Sequence, residues 1–135
     1  MQCITTVSYA IKINGCPRGR IILSRGIRQE DPLSPYLFLL CAEGLLALIK
    51  ASVCNGSMEG IAICCGGPKL SHLFFADDSL IFCKASLAEC DSMQKVLGVY
   101  ERASGQQLNK AKTSLFFSNN TPKEIQEENK RRFGA

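Results

Sequence analysis

Acidic residues are missing from the start of the chain. None occurs before Glu30, while the same stretch holds Lys12, Arg18, Arg20, Arg25 and Arg28. A segment of one sign suits a polyanion such as a phosphate backbone, or else stands solvated at the surface. Over the whole chain the excess is mild, 16 basic against 12 acidic side chains for a formal charge of +4, which suits a polyanionic partner without demanding one. Histidine is almost absent. His72 is the only one, and it has no partner at a recurrent zinc-ligand spacing. The eight cysteines include no Cys-x-x-Cys pair, and Cys64 and Cys65 are adjacent, so their spacing supports neither a zinc site nor a disulfide framework. Reduced, mostly buried thiols in an intracellular, unsecreted protein are expected. The N-terminus lacks the charged segment, apolar run and cleavage site of a secretory leader, and no repeat, low-complexity tract or linker divides the chain. At 135 residues it is long enough for one core, so residues 1–135 are expected to form a single domain.

What is present alternates between strand and helix patterns. Val7, Tyr9, Ile11 and Ile13 alternate with Ser8, Ala10 and Lys12, the period of a half-buried strand over residues 7–13. Asn14-Gly15 is a strong hairpin signal, with a returning strand expected over residues 20–23 after Pro17. Asp31 or Ser34 is the expected N-cap, with Pro32 or Pro35 at the first helical position, opening a helix of about 17 residues. Leu37, Phe38, Leu40, Leu45, Leu46 and Ile49 leave it apolar nearly all round, interrupted by Glu43. A membrane span is one reading, but the segment is slightly short and carries that glutamate. A central helix covered by a sheet on one side and other protein on the other is the expectation. Without that cover it is prone to aggregate.

Asn55, Gly56, Ser57 and Gly60 mark a loop, and residues 61–65 and 70–76 read as strands separated by Gly66-Gly67-Pro68. Ser86-Leu87-Ala88-Glu89 fits a capping box, and Leu87, Cys90, Met93, Val96, Leu97 and Tyr100 recur at helical spacing until Gly105. That stripe reads as core. Residues 115–117 suggest a last short strand, Asn119-Asn120 a turn, and Thr121-Pro122-Lys123-Glu124 a capped helix of mixed charge that frays. The expected fold class is α+β, an antiparallel sheet with β-hairpins packed on two or three helices.

Chemistry concentrates in residues 73–82, Leu-Phe-Phe-Ala-Asp-Asp-Ser-Leu-Ile-Phe. Two short apolar runs flank Asp77 and Asp78, which reads as a hairpin with carboxylates at its tip. Such carboxylates serve either as ligands for a hard divalent cation or simply as turn residues that hydrogen-bond their own backbone. Side chains alternate along a strand, so the two aspartates are not equivalent.

Phe75-Ala76-Asp77-Asp78 resembles the aspartate-pair motif of reverse transcriptases. Residues 25–38, Arg-Gly-Ile-Arg-Gln-Glu-Asp-Pro-Leu-Ser-Pro-Tyr-Leu-Phe, look like that family's template- and nucleotide-positioning motif. Residues 104–114, Ser-Gly-Gln-Gln-Leu-Asn-Lys-Ala-Lys-Thr-Ser, are similar to the segment that follows the aspartate pair in plant LINE-type retroelements without long terminal repeats. The three stand in the family's order and cover nearly the whole chain. The resemblance implies a partial polymerase palm, with Asp77 the direct metal ligand and Asp78 supporting it. It assigns Arg28, Gln29, Pro32, Ala76 and Lys112 to nucleotide or template, Lys112 towards the leaving pyrophosphate. Mg²⁺ or Mn²⁺, an RNA template, a DNA primer, a deoxynucleotide and the rest of the polymerase polypeptide are the implied cofactors and partners, with no membrane.

Two departures qualify that expectation. The family's further metal-binding aspartate lies on a strand upstream of where this chain begins, and fingers and thumb are not in it. Glu30 stands where the family has Gly, adding bulk and negative charge beside phosphates. The expectation is therefore a piece of a retroelement RNA-directed DNA polymerase, inactive as an isolated chain and working in the nucleus or cytoplasm. The alternatives are a non-catalytic RNA- or DNA-binding remnant using the basic hairpin, and a small α/β protein with no nucleic-acid role.

Overall fold

The computed structural model describes residues 8–22, 31–76 and 78–134. Among them are three helices and three two-stranded antiparallel ribbons, an α+β arrangement as expected. The chain divides into two compact units, Met1–Leu39 and Leu40–Ala135.

In the first unit β1 (Ser8–Ile13) pairs with β2 (Cys16–Ile22). Asn14 and Gly15 both take positive φ, 48° and 84°, which is the twist a two-residue hairpin turn needs. The returning strand starts at Cys16 rather than at residue 20, because so short a turn leaves no slack and pairing resumes at once. Pro17 falls opposite Lys12 and is tolerated because a two-stranded ribbon has an outer edge that needs no donor. The register slips between Tyr9 and Ile11, where Gly19 at φ 70° supplies the bulge. Every residue of the two strands except Tyr9 is exposed.

Helix α1 (Ser34–Cys54) has 21 residues, longer than the pattern suggested because residues 51–53 remain compatible with helix until Asn55-Gly56 stops it. Neither Asp31 nor Ser34 opens the helical ladder. Leu33 does, its carbonyl accepting from the Leu37 N–H at 3.0 Å. Asp31 instead builds the preceding turn, its carboxylate accepting from the Leu33 N–H at 2.9 Å. Pro35 then sits second in the helix, where its missing N–H costs nothing. By length and composition alone α1 could cross a membrane. Tyr36, Leu39 and Leu40 are exposed, whereas Leu45, Ile49 and Ser52 are buried.

The second unit is built around that buried end. Leu45 and Ile49, one helical turn apart, meet Met58, Met93 and Val96, with Phe74, Ile81, Leu97, Tyr100 and Phe133 packed against them. Helix α2 (Leu87–Ser104) brings Cys90, Met93 and Val96 inward, as its stripe foretold. Ser86 caps it by accepting from the Glu89 N–H at 3.3 Å. The second half of the capping box is not made, because the Glu89 carboxylate is taken by the N–H groups of Lys84 and Glu59, at 3.0 and 2.9 Å. Gly105 ends the helix at φ 72°.

Strands β3 (Ile61–Ala62) and β4 (Lys69–Leu70) are shorter than expected, since the chain turns at Cys64, whose carbonyl accepts from the Gly67 N–H at 3.0 Å. The second expected strand is interrupted at Ser71, leaving β5 (His72–Phe75) to pair with β6 (Asp78–Ile81). Residues 115–117 do not form a strand, because no neighbouring strand among the described residues pairs with them. Helix α3 (Lys123–Phe133) starts without a side-chain cap. Thr121 contributes its carbonyl to the Gln126 side chain instead. Rather than fraying, α3 is tied to α2, its Arg132 paired with Asp91 and its Arg132 carbonyl accepting from Gln94.

Candidate functional site

The aspartate hairpin is positioned from below by the core. Alternation puts Phe74 and Ile81 on the packed side of the β5–β6 ribbon, where they join the core cluster. Asp78, paired with Phe75, shares the other side with Leu73 and Leu80. That side is open, Phe75 being 79% exposed. Phe75 pairs directly with Asp78, so the connection is two residues long. Ala76 opens it at φ 51°, a conformation that strains a residue with a Cβ and no local hydrogen-bonding group.

The foot of the hairpin is clamped electrostatically. Glu89 gathers the N–H groups of Lys84 and Glu59, and Glu59 is paired with Lys69. The hydrogen bond and charge of Lys69, helped by Lys84, hold the Glu59 carboxyl below its usual range. Beside this clamp Cys83 is half-buried, and burial, then the charges of Glu89 and Cys90, push its thiol up to about 11. A thiol so displaced stays protonated near neutrality, which disfavours it as a nucleophile. Glu89 is the residue the sequence did not disclose. Its signal was visible only as half of a capping box, and nothing in the sequence marks Glu59 as the other end.

Of the residues assigned from the motifs, Ala76 and Asp78 come together at the hairpin turn. Asp77, Arg28 and Gln29 lie outside the described residues, as does the departing Glu30. Pro32 is exposed in the turn ahead of α1, within the first unit. Lys112 is exposed in a turn closed by Asn109, whose carbonyl accepts from the Lys112 N–H at 3.0 Å. The carboxylate chemistry of the hairpin suits a hard cation, yet among the described residues no three His, Cys, Asp or Glu side chains gather into a metal-holding group. Of the two motif aspartates, Asp78 is the one among the described residues.

The ribbon and its helical backing define a class of α+β chains in which an acidic hairpin rests on a helix-supported core. The chain belongs to the reverse transcriptase (RNA-dependent DNA polymerase) family, whose profile matches residues 1–133. This is the family its motifs resemble. It is 49% identical over 67 residues to an uncharacterized mitochondrial protein of Arabidopsis thaliana, covering 50% of this chain and 55% of that protein. Two retrovirus-related Pol polyproteins from type-1 retrotransposable element R2 of Popillia japonica also match, at 37% identity over 67 residues and 31% over 81. Those matches cover 50% and 60% of this chain but 9% and 12% of the polyproteins. The chain thus spans about half of the plant relative's length and a small share of the polyproteins'. No solved structure matches it.

Proposed function

We propose that the chain is the palm segment of an RNA-directed DNA polymerase from a retroelement without long terminal repeats, of the plant LINE type. The observation that carries this reading is the family match along residues 1–133. Asp78 directly after the Ala76 turn supports it. The substrates are an RNA template, a DNA primer and a deoxynucleotide, and the rest of the polymerase polypeptide is the partner. The work is done inside the cell, in nucleus or cytoplasm, without a membrane.

Asp77 and Asp78 would hold Mg²⁺ or Mn²⁺, Asp77 directly and Asp78 in support, and an ion held there would supply Lewis-acid charge stabilisation to phosphoryl transfer. Arg28 and Gln29 orient template and nucleotide, with Pro32 fixing the turn that follows them. Ala76, with its single methyl, leaves room for the primer end beside the carboxylates. Lys112 places a positive charge towards the leaving pyrophosphate.

Two measurements test the reading. Mn²⁺ titrated into the labelled chain is expected to broaden the NMR signals of Ala76 and Asp78 selectively, and Asp77→Asn is expected to remove the effect. Absence of broadening in the parent chain would reduce the aspartates to turn residues. Primer extension by the purified chain alone, with either ion, is expected to be nil, and extension abolished by Asp77→Asn would show that it needs no further carboxylate.

A further inference from the structure

We infer that Glu89 is a positioning residue: through two main-chain N–H groups it fixes the angle at which the β5–β6 ribbon presents its aspartate tip, a role that rests on the reading of that tip as the ion-holding end. Little else holds the tip. Phe75 is 79% exposed, and Leu73 and Leu80 are exposed as well. Among the described residues no main-chain hydrogen bond from outside the ribbon reaches residues 73–81. A two-stranded ribbon is marginal by itself, and this one is supported on one side, where Phe74 and Ile81 meet the core. Apolar contact is non-directional. It serves as a pivot and leaves the ribbon free to swing.

Direction comes from the foot. The ladder continues below β6, Phe82 donating its N–H to the Ser71 carbonyl at 2.8 Å. Beyond that pair, one leg reaches back to Lys69 and the other leaves at Lys84, and both end on a single carboxylate oxygen. Oε2 of Glu89 accepts the Lys84 N–H directly at 3.0 Å. It also accepts the Glu59 N–H at 2.9 Å, and the Glu59 side chain is paired with Lys69. Such charge-assisted bonds are the strong, directional ones. Glu89 is itself fixed, because its own N–H is given to Ser86 and the next residue, Cys90, is buried from α2 into the core. Pivot and foot are thus referred to one helix. From Lys84 to Asp78 is up to about 20 Å of extended chain, so a swing of about 5° at the foot displaces the tip by about 2 Å, several times the roughly 0.5 Å that a working site tolerates.

A contact that merely stabilises would lower the melting temperature and leave the tip's orientation alone. Backbone relaxation of the labelled whole chain separates the two roles. In Glu89→Ala the N–H order parameters of Asp78, Ser79 and Leu80 are expected to fall from about 0.85 to about 0.6 or less, with those of α2 unchanged. Glu89→Gln keeps an oxygen that accepts both N–H groups, and is expected to restore the parent values. Lys69→Met frees one leg and is expected to loosen the same three residues partway, which keeps the test open should Glu89→Ala not fold. Parent-like order at the tip in a folded Glu89→Ala or in Lys69→Met would overturn the proposal, as would Glu89→Gln as loose as Glu89→Ala. Mn²⁺ broadening of Ala76 and Asp78, read in the parent sample, decides separately whether the tip holds an ion: without it the polymerase reading of the aspartates falls, while the order parameters still decide on Glu89.

Discussion

Ala76 carries the local tension of the hairpin. An alanine at φ 51° has the steric cost of the left-handed region without the side-chain hydrogen bond that lets Asn or Asp occupy it. Ala76→Gly is expected to stabilise the second unit by about 0.5–1 kcal/mol, the relief of Cβ strain less the entropy glycine loses on folding. Urea unfolding checks it, and an unchanged midpoint would mean that the turn is relaxed as it stands. Cys83 gives a pH signature at the same scale. Its folded value lies above the ordinary 9.0, at about 11, so folding favours the protonated thiol. That contribution is fully present below about pH 9 and is lost as pH rises towards 11. Between those limits the melting temperature of the parent chain is expected to fall more steeply than that of Cys83→Ser, measured side by side by circular dichroism.

Among the elements, the β3–β4 ribbon depends on one absent side chain. A Cβ on Gly60 would stand 2.7 Å from the Leu70 carbonyl oxygen and 2.8 Å from its carbon, both backbone atoms that cannot swing aside. Gly60→Ala is expected to cost about 1–3 kcal/mol, read from the urea midpoint, with amide protection lost first at Ala62 and Leu70. The sequence announced Gly60 only as part of a loop, because close approach of two backbones leaves no mark on residue type. Where geometry is local, the sequence was legible: Asn14-Gly15 made its hairpin, Ser86 and Gly105 bounded α2, and three motifs taken together pointed to the family. What failed was pairing with something distant. Residues 115–117 have a strand's alternation without its neighbour, and Glu89 left its capping box for the N–H of Glu59, thirty residues earlier.

At the scale of the molecule, one unit's cohesion rests on a small core. Among the described residues five, Leu45, Ile49, Met58, Met93 and Val96, form its buried cluster, and of these Ile49 is fully enclosed. Ile49→Ala is expected to cost about 2–5 kcal/mol, a large part of the roughly 5–15 kcal/mol by which an ordinary domain is stable. The variant is expected to lose its cooperative thermal transition near room temperature, followed by circular dichroism.

The same core joins Ile49 on α1 to Met93 on α2, 93 − 49 = 44 positions later. During synthesis at about 5–20 residues per second, roughly 2–9 s separate the arrival of the two. A helix forms in about a microsecond. Each nascent chain therefore exposes the apolar side chains of α1 for seconds before their cover exists, an interval open to any chaperone that holds apolar segments.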